Sequence, residues 1–176
     1  MTSLDMALDE EELSKRKQKA KDMSDLADQK IPEAKSLAKA GNLNGAIEVL
    51  LSAEKQTRQG GDVSSTSRLC VEIINLCFEK KEYKLLNENL VLISKRRGQL
   101  KTAVQRTVQA AMEFIPKLEG DTKLALIDTL ISITEGKIYV EAERARLTRI
   151  LADIKEAAGD VAGACETMRA VAVETF

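Results

Sequence analysis

Histidine and tryptophan are both missing from this 176-residue chain. Without histidine, the commonest general base and the commonest metal ligand are gone together. Cysteine is scarce too. Cys70, Cys77 and Cys165 form no CxxC pair, so neither a zinc knuckle nor a disulfide framework is expected, and a reduced intracellular compartment is the natural reading. Cys165 has no imidazole to activate it as a nucleophile. Aromatics are 3% of the chain and proline occurs twice, which leaves little for strands and points to an all-α protein. The formal charge of −1 offers none of the basic excess that nucleic-acid binders carry. The most apolar stretch, Leu124 to Ile133, is interrupted by Asp128 and is too short for a bilayer. The first residues are acidic and lack an apolar core, so no signal peptide is expected. No cofactor, metal, small-molecule substrate, nucleic acid or membrane is therefore expected as a partner.

The residues that are present form a regular pattern. With 44% hydrophobic and 31% charged residues, the chain has the balance of a soluble domain with a sizeable core. Gly41-Asn42 is followed by Ala46, Gly120-Asp121 by Ala125, and Gly159-Asp160 by Ala164, with Lys81-Glu82 and Leu86 as a degenerate further copy. The copies stand 39–40 residues apart. Spacing of this size predicts about four helix hairpins, each burying its apolar face against its neighbours. The expected architecture is a right-handed superhelical array of antiparallel hairpins, resembling a TPR or HEAT solenoid. In each copy, glycine takes the left-handed conformation that ends a helix, Asn or Asp caps the next, and a small residue lets the pair pack closely.

Residues 1–22 read as a charged arm, an acidic run (Asp9 to Glu12) followed by a basic one (Lys15 to Lys21). From residue 23 to 176 the helical period takes over. A helix should start, break or kink at Pro32. Gln59-Gly60-Gly61-Asp62 reads as a linker, with Asp62, Ser64 or Ser65 capping the next helix. It lacks the GK[ST] of a phosphate loop. Further helices are expected from about Glu82 to Arg96, from Gln99 to before Pro116, and over roughly Asp121–Thr134, Val140–Ala158 and Asp160–Val173. Cys70 and Cys77 fall on one face with Val71, Ile74 and Phe78, as small core residues.

Two clusters stand out as candidate contacts. Lys95-Arg96-Arg97 is the densest basic cluster inside the array; it suits a helix C-terminus first, with a contact for an acidic partner as the other reading. Glu141 with Arg144 and Glu143 with Arg146 are spaced i,i+3, as solvated helix pairs or as a network between adjacent repeats. The remaining carboxylates fall on expected solvent faces, and none forms a catalytic pair. An enzyme with an unrecognised carboxylate or cysteine site is the rival class.

Three long strings carry a resemblance: EKQTRQGGDVSSTSR (Glu54 to Arg68), LLNENLVLISKRRGQLK (Leu85 to Lys101) and TEGKIYVEAERARLTRILADIKEAAGD (Thr134 to Asp160). They resemble the non-ATPase subunit-five family of the proteasome regulatory-particle lid, and the closing VAVETF is similar as well. Members of that family are helical-repeat proteins ending in a PCI module, which is not expected within these residues. The resemblance implies a non-catalytic scaffold for ubiquitin-dependent proteolysis, in cytoplasm and nucleus. It also implies contacts to other lid subunits and to the outer ring of the proteolytic core. The paralogous signalosome scaffold subunit is the alternative within the class.

Overall fold

A computed structural model describes residues 22–174, and the arm expected over residues 1–22 lies almost wholly outside them. The described residues hold eight α-helices and no strand: α1 Ser24–Lys39, α2 Leu43–Gln59, α3 Val63–Glu79, α4 Tyr83–Lys95, α5 Lys101–Met112, α6 Gly120–Thr134, α7 Glu141–Ala157 and α8 Val161–Glu174. Short 3-10 turns at Ile115–Lys117 and Ile138–Val140 precede α6 and α7.

Six of the seven links between these helices contain one residue with positive φ, namely Gly41, Gly61, Lys81, Gly98, Gly136 and Gly159, and at the seventh Gly120, the first residue of α6, has it. Four of the links share one hydrogen-bond pattern. Gly41 N–H donates to Ala38 O and Asn42 N–H to Leu37 O; the same pair of bonds recurs at Gly61-Asp62, Lys81-Glu82 and Gly159-Asp160. This is the Schellman closure, which satisfies carbonyls that a helix end leaves open. Next, the Asn42, Asp62 and Asp160 side chains accept from Gly45, Ser65 and Gly163 N–H at 3.0, 3.1 and 3.0 Å, capping the following helix. An added Cβ on Gly45 or Gly163 would strike the capping side chain.

Three features correct or narrow the sequence reading. Gly60-Gly61-Asp62 is a full copy of the turn rather than a looser linker, so the early copies fall 20 residues apart, one per helix. The 39–40 residue period is therefore the length of a helix pair. Secondly, Gly120 does not close a helix. After α5 the chain makes a 3-10 turn around Pro116, and Gly120 (φ 61) opens α6 behind extended Glu119, which leaves Asp121 in the first turn. An acidic residue there suits the helix dipole without capping it. Thirdly, Pro32 lies inside α1, which neither starts nor breaks there. Buried Ala27, Ala34 and Ala38 flank it on one face, so packing on both sides of the proline carries the helix through its missing N–H.

The chain divides into two compact units. One comprises residues up to Leu76 with Gly98–Ala103; the other comprises Cys77–Arg97 and the residues from Val104. In the first, α1 packs on α2, and Ala27, Ala34 and Ala38 give the close approach that lets Ile47 and Leu50 bury fully or nearly so. In the second, α4 packs on α6, α6 on α7 and α7 on α8. Leu86, Leu90, Leu126, Ile127, Leu130 and Leu147 are almost completely enclosed there. Each such side chain contributes about 1.5–3 kcal/mol of burial. Phe78 lies on Phe114 with ring centroids 4.1 Å apart and planes within 2°.

Candidate protein interface

The basic cluster sits where α4 ends. Lys95 is the last helical residue, Arg96 turns the chain into an extended conformation, and Lys95 and Arg97 are exposed while Arg96 is half-buried. Because α4 and α6 are packed neighbours, the end of α4 is served by a second loop, Glu135–Val140, between α6 and α7. Burial pushes the Lys137 ammonium below its ordinary pKa, and the positive charge of Lys95 pushes it the same way. Two cations, one at the end of α4 and one on the α6–α7 loop, thus share one region.

Beside them lies a surface depression of about 410 Å³, lined by Thr134, Glu135, Gly136, Lys137, Ile138, Glu141 and Arg144. It unites Glu141 and Arg144 from the sequence reading with two residues that local pattern does not single out, Lys137 and Ile138. Ile138 is 87% exposed, far above the next large apolar side chains, Val63 and Leu92 at 39%, among the described residues. The only signal in the sequence is an apolar residue directly after the Gly136-Lys137 turn, which looks the same whether it faces core or solvent.

The second expected pair rearranges. Glu143 is 6% exposed and turns toward α5, where its Oε1 accepts from Gln109 Nε2 at 2.9 Å and from Gln105 Nε2 at 3.4 Å. Arg146 is exposed and acts on Glu143 only as a nearby charge. Burial raises the Glu143 pKa, but the hydrogen bonds from Gln109, the backbone and Gln105, with Arg146, outweigh it and leave the carboxyl below its ordinary value. Glu143 therefore links two helices through neutral donors rather than through an i,i+3 ion pair.

The other unit holds an enclosed carboxylate. Glu54 on α2 is completely buried; its Oε1 accepts from Arg58 Nε at 2.9 Å and from Gln99 Nε2 at 3.2 Å. This is a clamp between α2 and the segment before α5, built from groups that look like ordinary helix-surface residues in sequence. Cys70 and Cys77 are fully buried and unoxidised, and Cys165 is exposed. Burial, aided by the charge of Glu82, pushes the Cys77 thiol up to about 12. A thiol so placed is not a nucleophile near neutral pH. Among the described residues no group of three or more Cys, Asp and Glu could hold a metal ion, and no helix is long and apolar enough to cross a membrane.

Helix pairs closed by a recurrent Schellman turn, with charge and apolar surface gathered at a loop edge, define an all-α helical-hairpin repeat protein. The chain belongs to the family described as PSMD12/CSN4, N-terminal, whose sequence profile matches residues 45–176. It is 49% identical, over 93% of its length, to the 26S proteasome non-ATPase regulatory subunit 12 of Dictyostelium discoideum. Over 76% of its length it is 52% identical to homolog B of that subunit in Arabidopsis thaliana, and over 89% it is 36% identical to the 26S proteasome regulatory subunit RPN5 of Saccharomyces cerevisiae. The matches cover 37%, 30% and 36% of those proteins, so the chain spans about a third of the length of the curated relatives it matches.

Proposed function

We propose that this chain is a non-catalytic scaffold of the proteasome regulatory-particle lid and supports ubiquitin-dependent protein degradation through protein–protein contacts. The observation that carries the reading is 49% identity along 93% of the chain to a protein named as a regulatory subunit of the 26S proteasome. The architecture suits the role. Long helices joined by tight hydrogen-bonded turns hold surface groups at fixed separations, as a positional element requires. The partners are other lid subunits and the outer ring of the proteolytic core, in cytoplasm and nucleus. Lys95, Arg96 and Arg97 supply one contact to an acidic surface.

Native-gel assembly tests this reading. Purified chain is added to lid subassembly lacking its relative, with a signalosome subassembly as the competing arm. The expected result is co-migration with the lid alone, weakened in the Arg96→Glu, Arg97→Glu double variant while helicity and melting are preserved. The defect narrows as salt rises, because the exposed ion pairs and the repulsion that replaces them are both screened over ~8–10 Å. Failure of the wild-type chain to join the lid, or preference for the signalosome, overturns the assignment.

A further inference from the structure

We propose that Asn44, in the first turn of α2, is a latent deamidation site whose reaction with Gly45 and water is gated by the Asn42 cap. The chemistry needs no enzyme. The main-chain nitrogen of Gly45 attacks Cγ of Asn44 and closes a succinimide ring. The Asn44 side-chain nitrogen leaves as ammonia, taking up the proton that the Gly45 N–H gives up. Water then opens the ring at either carbonyl. One opening leaves aspartate; the other leaves isoaspartate, in which the main chain runs through the former side chain.

Sequence and cap geometry converge on this dipeptide. Asn44 is the one asparagine of the chain followed by glycine; Asn42, Asn75, Asn87 and Asn89 are followed by Leu or Glu, whose side chains obstruct the attack. Asn44 is exposed and Gly45 half-buried, so water reaches the ring. The cap itself requires this glycine, because a Cβ on Gly45 would strike the Asn42 side chain. The residue that lets the cap form is thus the residue that leaves Asn44 Cγ open to attack. At the equivalent caps the bonded nitrogen follows Ser64 and Ala162, which have no carboxamide to cyclise.

The same cap restrains the reaction. Gly45 N–H donates to Asn42 Oδ1 at 3.0 Å, and the attacking nitrogen must give up both that bond and its proton. The helical main chain at Asn44 also holds the nitrogen turned away from Cγ. Reaction therefore proceeds from the opened first turn. Opening there is easier than in the helix interior, since the first N–H groups of a helix have no carbonyl partner within it. Isoaspartate at position 44 adds a carbon to the main chain just before buried Ala46 and Ile47, and so disturbs the start of α2 where it packs on α1.

The test incubates the full chain in mildly alkaline buffer. Isoaspartate is read by transfer of labelled methyl from S-adenosylmethionine with an isoaspartyl methyltransferase, and its position by tandem mass spectrometry. Wild type is expected to accumulate label at residue 44, and to do so about tenfold faster when unfolded in urea. Asn42→Ala removes the cap and speeds the folded-state reaction about fivefold. Asn42→Asp keeps a capping oxygen and stays near the wild-type rate, and Asn44→Gln marks the background. Circular dichroism shows that each variant is folded. In urea wild type and Asn42→Ala react alike, which assigns their folded-state difference to the cap. Label at another asparagine, or its absence from residue 44 in folded wild type and Asn42→Ala alike, overturns the site. Equal rates for folded wild type and Asn42→Ala, or for folded and unfolded chain, overturn the gate. Assembly plays no part in this measurement, so its outcome is independent of the scaffold reading.

Discussion

Lys81 and Gly159 hold the same backbone position at the ends of α3 and α7, Lys81 at φ 57 and Gly159 at φ 86, and each closes its helix with the same two hydrogen bonds. Their chemistry is unequal. For an L-residue the left-handed conformation costs roughly 1–2 kcal/mol, whereas glycine reaches it without that penalty but loses more chain entropy on folding. Lys81→Gly is therefore expected to stabilise the protein by up to about 1 kcal/mol, and Gly159→Ala to destabilise it by about 1 kcal/mol. A Cβ at Gly159 would meet nothing within 4 Å, so the loss arises from the backbone alone. Gly159→Asn should fall between. Urea unfolding of the three variants checks the ordering, and an Ala variant as stable as wild type contradicts it.

How far the fold is legible in sequence depends on which residues set it. Turns at Gly41 and Gly159 are legible because glycine followed by Asn or Asp ends one helix and caps the next, whereas Gly61-Asp62 carries the same letters but reads as a linker behind a second glycine. Gly120 breaks the pattern, since there the same two letters open a helix after a 3-10 turn that Pro116 favours. Glu54 and Glu143 are illegible as buried groups. Their donors, Gln99 for the first and Gln105 and Gln109 for the second, lie 34 to 45 residues away, beyond any local pattern. Ile138 is illegible for the opposite reason, since sequence places an apolar residue in the core by default and only the structure shows it outside. The basic cluster is legible by composition, but its neighbour Lys137 reaches it through the packing of α4 on α6.

Glu54 provides a sharper stability test. A carboxylate with no solvent exposure, held by Arg58 and Gln99, takes the ion-pair partner at 2.9 Å from a nearly buried guanidinium when removed. Breaking a buried pair from one side costs about 3–5 kcal/mol. Glu54→Ala should fall in that range and Glu54→Gln well below it, since the amide oxygen still accepts. A double-mutant cycle between Glu54 and Gln99 should show coupling of about 0.5–3 kcal/mol, as expected for residues in one network. Additive losses would mean that Gln99 contributes nothing to holding α2.

Cys77 makes stability depend on alkaline pH. Its folded pKa of about 12 lies above the ordinary 9.0, so on unfolding the thiol ionises readily and in the folded chain it does not. Its contribution is complete below 9.0 and is lost progressively as pH rises from there toward 12. Across that window the slope from this group is about 1.4 kcal/mol per pH unit. Cys77→Ala should lose a little packing at neutral pH yet show a shallower alkaline decline than wild type. Parallel slopes would place the ionisation elsewhere. In the native protein at neutral pH, a thiol reagent should modify exposed Cys165 well before Cys70 or Cys77.

Glu143 acts at the opposite end of the pH scale. Its carboxyl is held below the ordinary value of 4.5, because the bonds from Gln109 and Gln105 with the nearby Arg146 charge outweigh the upward push of burial. The stabilisation is present in full above the ordinary value and disappears as pH falls through the folded one. A hydrogen bond to a charged acceptor contributes about 1.5–3 kcal/mol, against about 0.5–1.5 for a neutral one. Glu143→Gln keeps an oxygen for both donors but removes the charge, so it should cost roughly 1 kcal/mol near neutral pH and progressively less in acid. Gln109→Ala should shift the onset of acid unfolding upward, because the shorter of the two bonds is its own at 2.9 Å. Arg146→Ala should have a smaller effect, its charge being exposed and screened. Urea unfolding of all three variants on both sides of 4.5 separates these outcomes. A Glu143→Gln deficit that stays constant across the range would show that the two glutamines hold the side chain without favouring its ionised form.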